Sequence, residues 1–92
     1  LTIERFDSVW EALGYSPAKA ANLEARSSLM RQIEAVLKQG GLTQEAAAQR
    51  CGVSQPRIND LLRGKIAKFS LDALVKIAAS LGQKVKVELE AA

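Results

Sequence analysis

Residues 42–65, LTQEAAAQRCGVSQPRINDLLRGK, constrain this chain more than any other stretch. The same punctuation occurs twice. Thr43 is a good N-cap, because its hydroxyl can take up a free N–H at the start of a helix. Glu45, Ala46, Ala47, Ala48 and Arg50 continue that helix. Gly52 stops it, since a left-handed backbone costs glycine nothing. Ser54 is a second N-cap, and Pro56 falls in the first turn of the next helix, where its missing N–H is not needed. Ile58, Leu61 and Leu62 carry that helix on to Gly64. The punctuation predicts two short helices joined by a tight glycine turn.

The side chains of the pair fit a DNA-binding helix-turn-helix. Steeply crossing helices need a small residue at their closest approach, and Ala48 is one. Ala47, Cys51, Val53, Ile58 and Leu61 stand at inward positions. The other face of the second helix holds Gln55, Pro56, Arg57, Asn59, Asp60 and Arg63, groups suited to base edges and phosphates. A plain helical hairpin inside a bundle would not need so many positions to agree.

Charge points to the same stretch. Residues 1–41 hold five basic and five acidic side chains, and residues from 70 onward hold three of each. Residues 42–69 hold five basic (Arg50, Arg57, Arg63, Lys65, Lys68) against two acidic (Glu45, Asp60). The whole net charge of +3 therefore sits there. A merely solvated surface has no reason to segregate charge in this way, whereas a surface that meets phosphates does.

Residues Leu42-Thr43-Gln44, Ala48, Gly52-Val53-Ser54, Ile58, Leu61 and Arg63-Gly64-Lys65 resemble the helix-turn-helix of the lambda-repressor-like (XRE/Cro-cI) family. The wider string RCGVSQPRINDLLRGKIAKFSLDALVKIA is similar to the compact HigA-like antitoxins of toxin–antitoxin pairs, over roughly residues 29–89. The resemblance implies a mainly α bundle, DNA as partner, and a C-terminal strand. Leu62 departs from the family, which often has a polar residue there; it is expected to pack against the N-terminal extension.

The rest of the chain is expected to form one domain spanning residues 1–92: an N-terminal extension (1–15), a helical core (16–82) holding the helix-turn-helix at 43–64, and a C-terminal β-strand (84–90). Residues 1–6 alternate loosely and could be a short strand or a lead-in. Asp7 or Ser8 caps a short helix carrying Val9, Trp10 and Leu13. Ser16-Pro17 opens a long helix, with Leu23, Met30, Ile33 and Leu37 as its apolar stripe and Leu29 and Val36 beside it. Gly40-Gly41 ends it. Phe69 is expected to turn inward, and Ser70 to cap a helix with Leu71, Leu74, Val75, Ala78 and Leu81 on its apolar face. Phe6, Trp10 and Tyr15 either cover an edge of the core or form a partner surface, and the sequence leaves both open.

Residues 84–90 alternate strictly, with Val85, Val87 and Leu89 on one side and charges on the other, which predicts a strand. Such a strand needs a mate, either residues 1–6 of the same chain or its copy across a two-fold axis. The second is favoured, because symmetric dimers read palindromic operators. Val85, Val87 and Leu89 are then the dimerisation residues.

The site residues divide by chemistry. Gln55 can pair bidentately with adenine, and Pro56 suits a thymine methyl. Arg57 can take a guanine or a phosphate, Asn59 can read a base, and Asp60 can accept from cytosine or orient an arginine. Gln44 and Ser54 lie at helix starts, where a phosphate can be clamped. In the family the position of Gln44 does such work. Arg63, Lys65 and Lys68 are expected phosphate contacts.

Other chemistry finds little support. One cysteine and no histidine rule out a disulfide within the chain and a Cys/His zinc site. No catalytic constellation or phosphate-binding glycine loop is present, so neither an enzyme nor a cofactor is expected. No membrane span or signal peptide is visible, which fits a cytoplasmic protein acting at the nucleoid. The chain begins at Leu1 rather than Met, so residues are expected to precede it. The function expected is that of a homodimeric DNA-binding regulator, an autorepressing antitoxin with a cognate toxin as second partner. The alternatives are a phage-type or housekeeping repressor without a toxin, and a protein-interaction module that has lost DNA binding.

Overall fold

A computed structural model of the chain describes residues 9–91. The expectations for residues 1–6, for Phe6 and for a cap at Asp7 or Ser8 lie outside the described residues. Among the described residues five α-helices follow one another: α1 (Val9–Ala12), α2 (Pro17–Gly40), α3 (Gln44–Cys51), α4 (Gln55–Leu62) and α5 (Leu71–Ser80). A single 3-10 turn, Ile66–Lys68, lies between α4 and α5.

Local chemistry sets the helix starts. Ser16, Thr43, Ser54 and Ser70 each occupy an N-cap in extended backbone, and each side chain accepts from the N–H three residues on. Residues of this kind are favoured there because they satisfy an N–H that the helix cannot. The ends of α3 and α4 share a second device. Gly52 and Gly64 take positive φ of 68° and 70°. The next residue in each case donates its N–H back five positions, Val53 to the Ala48 carbonyl at 3.0 Å and Lys65 to the Asp60 carbonyl at 3.1 Å. This closure ends the helix and reverses the chain over its last turn.

The core collects Met30, Ile33 and Leu37 of α2, Ala47 and Ala48 of α3, Ile58 and Leu61 of α4, Phe69, and Leu74, Ile77 and Ala78 of α5. The expected stripe on α2 is thus on the inside, as is Phe69. Ile77 is buried too, beside Leu74 and Ala78, although the apolar face read from the sequence did not include it. Leu62 is half-buried and lines, with Trp10, a cleft between α2 and the end of α4. The Trp10 and Tyr15 rings meet edge to face at 6.2 Å, and Trp10 is half-buried while Tyr15 is exposed.

The expected C-terminal strand is not there. Among the described residues no strand occurs, and residues 83–91 have no regular secondary structure. Among the described residues the tail meets no ladder partner: α2 and α5, beside which it runs, present side chains and not a backbone edge. Val85 packs against the core, while Val87 and Leu89 are 85% and 98% exposed. Alternation in the sequence does not by itself supply a mate.

Gly52→Ala tests the turn. No atom lies within 4 Å of the Cβ it would add, so its cost is conformational alone. That cost is about 1 kcal/mol, a fall of roughly 5 °C in the thermal midpoint. A midpoint equal to that of the wild type would mean that the turn does not hold its left-handed form.

Candidate nucleic-acid interface

α3 and α4 form the expected helix, glycine turn and helix, and burial divides α4 into two sides. Ile58 and Leu61 are buried, and Cys51 and Val53 pack half-buried beside them. Burial raises the pKa of the Cys51 thiol, against an opposing influence from Arg50. Gln55, Pro56 and Arg63 are exposed, whereas Arg57, Asn59 and Asp60 are half-buried. Ser54 accepts from the Arg57 N–H at 3.3 Å, and Gln44 is the first residue of α3. The N-terminal ends of α3 and α4 thus carry Gln44, Gln55 and Pro56.

Arg57, Asp60, Lys65 and Lys68, all expected to contact DNA, are engaged within the protein. The Arg57 guanidinium lies 4.1 Å above the Phe69 ring and donates to the Lys68 carbonyl at 2.7 Å. It braces α4 against the following loop. Asp60 takes both lysines of that loop, Lys65 on Oδ1 at 3.2 Å and Lys68 on Oδ2 at 3.4 Å. The chain closure at Gly64 explains the first pair, since it folds Lys65 back over Asp60. Hydrogen bonding from Lys65 holds the Asp60 carboxyl below its usual range, with Coulombic support from both lysines, against some desolvation. The Arg63 side chain makes no ion pair or hydrogen bond with the described residues.

The excess of positive charge on this stretch is therefore partly structural. Arg50 donates to the Ser80 carbonyl at 3.1 Å and so ties the end of α3 to the end of α5. Of the five basic side chains, Arg63 is the one that makes no such contact with the described residues.

One residue that positions the interface was missed from the sequence. Arg26 of α2 is 9% exposed. Its Nε donates to Asn22 Oδ1 at 2.7 Å, and one terminal nitrogen reaches the carbonyls of Ile66 and Phe69 at 3.4 and 3.1 Å. It fastens the basic loop to the long helix. A charged residue in a helix normally reads as solvated, and the carbonyls it meets lie 40 and 43 positions away. The one available signal was its place three residues after Leu23 and four before Met30, on the apolar stripe.

A family model described as a helix-turn-helix domain matches residues 14–90. The chain belongs to that family. In the DNA-binding form of this motif the second helix enters the major groove, and α4 holds the position of that helix. A solved protein described as a "Putative XRE Family Transcriptional Regulator" has the same fold, with a TM-score of 0.74 and 28% identity. The match covers 80% of this chain and 83% of that one. A comparison with curated proteins finds no match. The fold is thus that of an XRE-type helix-turn-helix. No helix among the described residues is long and apolar enough to cross a membrane.

Two outcomes check this geometry. Arg26→Met removes the donors and strands the Phe69 carbonyl, while the Ile66 carbonyl keeps the Phe69 N–H, so it should cost about 1–3 kcal/mol of stability, read by chemical denaturation. The Asp60 pairs should persist from neutral pH down to the ordinary aspartate range and break only as pH falls through the lowered Asp60 value. Carboxylate NMR shifts followed through acid titration read this, and an Asp60 titration at or above the ordinary value would contradict it.

Proposed function

We propose that the protein is a homodimeric, sequence-specific transcriptional regulator that reads a palindromic operator, and that it does so as the autorepressing antitoxin of a toxin–antitoxin operon. The observation that carries the DNA-reading part is the division of α4: Ile58 and Leu61 face inward, while Gln55, Pro56 and Arg63 stand exposed. Gln55 reads adenine and Pro56 meets a thymine methyl. Asn59 lies one turn further along the groove. Gln44 and Ser54 take phosphates at the starts of α3 and α4, and Arg63 takes one at the far end. Arg57 acts through the loop it braces and not at a base.

The dimer is proposed to use the C-terminal tail, because Val87 and Leu89 would otherwise leave two apolar side chains in water beside a packed Val85. Two recognition helices would then enter successive major grooves about 34 Å apart. The regulator reading is supported by the likeness to the XRE regulator. The antitoxin role rests on the sequence resemblance, and a neighbouring gene for a small basic ribonuclease would separate it from a repressor without a toxin.

Binding to a fragment of the protein's own promoter, measured across salt concentrations, tests the reading. A preference for that fragment over random duplex is expected, and its absence would leave a protein-interaction module as the better account. Gln55→Ala should lose about 1–3 kcal/mol of discrimination at one base pair. Arg63→Ala should weaken all sequences alike and flatten the salt slope by about 1. Identical behaviour of the two variants would refute the division of roles. Val87→Asp with Leu89→Asp should convert a sedimenting dimer to monomer, and a dimer that survives would place the interface elsewhere.

A further inference from the structure

Asp60 is the one acidic residue on α4, the helix that enters the groove of a polyanion. A carboxylate there repels phosphates unless it does something else. Both of its oxygens are occupied, by Lys65 and by Lys68. Each lysine is held from a second direction as well. The Lys65 N–H donates to the Asp60 carbonyl, and the Lys68 carbonyl accepts from Arg57. The lysine side chains stay 42% and 55% exposed, so the pairs lie at the surface. Exposed pairs of this kind add little stability. Their position, on the recognition helix and the loop after it, is where their effect lies.

The geometry points to Asp60 as a specificity-determining residue that holds Lys65 and Lys68 back from the phosphates of non-cognate DNA. A lysine that leaves for a phosphate strands the carboxylate close to the same backbone. On a cognate site a donor in the major groove, the amino group of a cytosine, takes the place of the lysines at Asp60. The lysines are then released, and base readout and phosphate contact become one event. This inference rests on α4 lying in the major groove.

The experiment compares the full chain and Asp60→Asn on two probes: a short duplex enriched by the wild-type protein from a randomised pool, and the unselected pool. Asp60→Asn should bind the pool about 10-fold more tightly. Its salt slope on the pool should be steeper by about 1 to 2, as one or two lysines become available to phosphates. Its ratio of selected to unselected affinity should fall. An unchanged affinity for the pool, with preference lost at a single base pair, would overturn the inference and leave Asp60 as a base reader only. The wild-type protein gives a second reading that survives if the variant does not fold. Its salt slope on the selected duplex should exceed that on the pool by about 2, and equal slopes would overturn the inference. A wild-type protein that enriches no duplex would remove the groove-reading account itself. A wild-type protein that enriches one while Asp60→Asn matches it on both probes would remove the Asp60 inference alone.

Discussion

The burial of Ile58 and Leu61 is the constraint on which the rest of the structure depends. α4 is eight residues long, too short to persist in water on its own. Ile58 is 0% exposed, and it meets a core built from α2, α3 and α5. Burial of such a side chain contributes about 1.5–3 kcal/mol, which offsets part of the cost of ordering a helix this short. Fixing the inner side also fixes the outer one, because residues one and two positions away on a helix point elsewhere. Pro56, two positions before Ile58, is exposed as a consequence of where Ile58 sits, and Gln55 is exposed in the first turn of α4.

The second constraint is the hold on the loop after α4. Arg26 reaches the carbonyls of Ile66 and Phe69 from beneath, and Arg57 caps Phe69 and the Lys68 carbonyl from the side. Phe69 itself is buried. The basic loop is thus a continuation of the rigid body and not a loose arm. Two arginines that would pass for DNA ligands by composition, Arg50 and Arg57, serve the protein's own backbone. The positive charge of residues 42–69 and the cationic groups free to meet DNA are different quantities, and Asp60 accounts for much of that difference.

How far these features can be read in the sequence depends on the range of the interaction. The caps at Ser16, Thr43, Ser54 and Ser70 are bonds to the third residue on, and the glycine turns close over five, so local chemistry sets both. The stripe on α2 and the inward turn of Phe69 follow from apolar spacing. The tail was misread because alternation describes one face of a segment, while a strand also needs a second backbone, and none of the described residues offers one. Arg26 was missed because its partners lie far away in the chain. Arg57, Asp60, Lys65 and Lys68 were each assigned to DNA singly. Their mutual pairing depends on the chain reversal at Gly64, whose effect on side-chain position the residue types do not state.

The central claim is that the exposed side of α3 and α4, with the loop held behind it, is the surface that meets DNA. Amide NMR shifts followed during titration with a duplex enriched by the protein test this most directly. The account predicts that the perturbed amides cluster at Gln44, at residues 54–60 and at residues 63–68, while those at the α2–α5 face remain in place. Perturbations centred on α1 or on α5, with α4 unmoved, would contradict it.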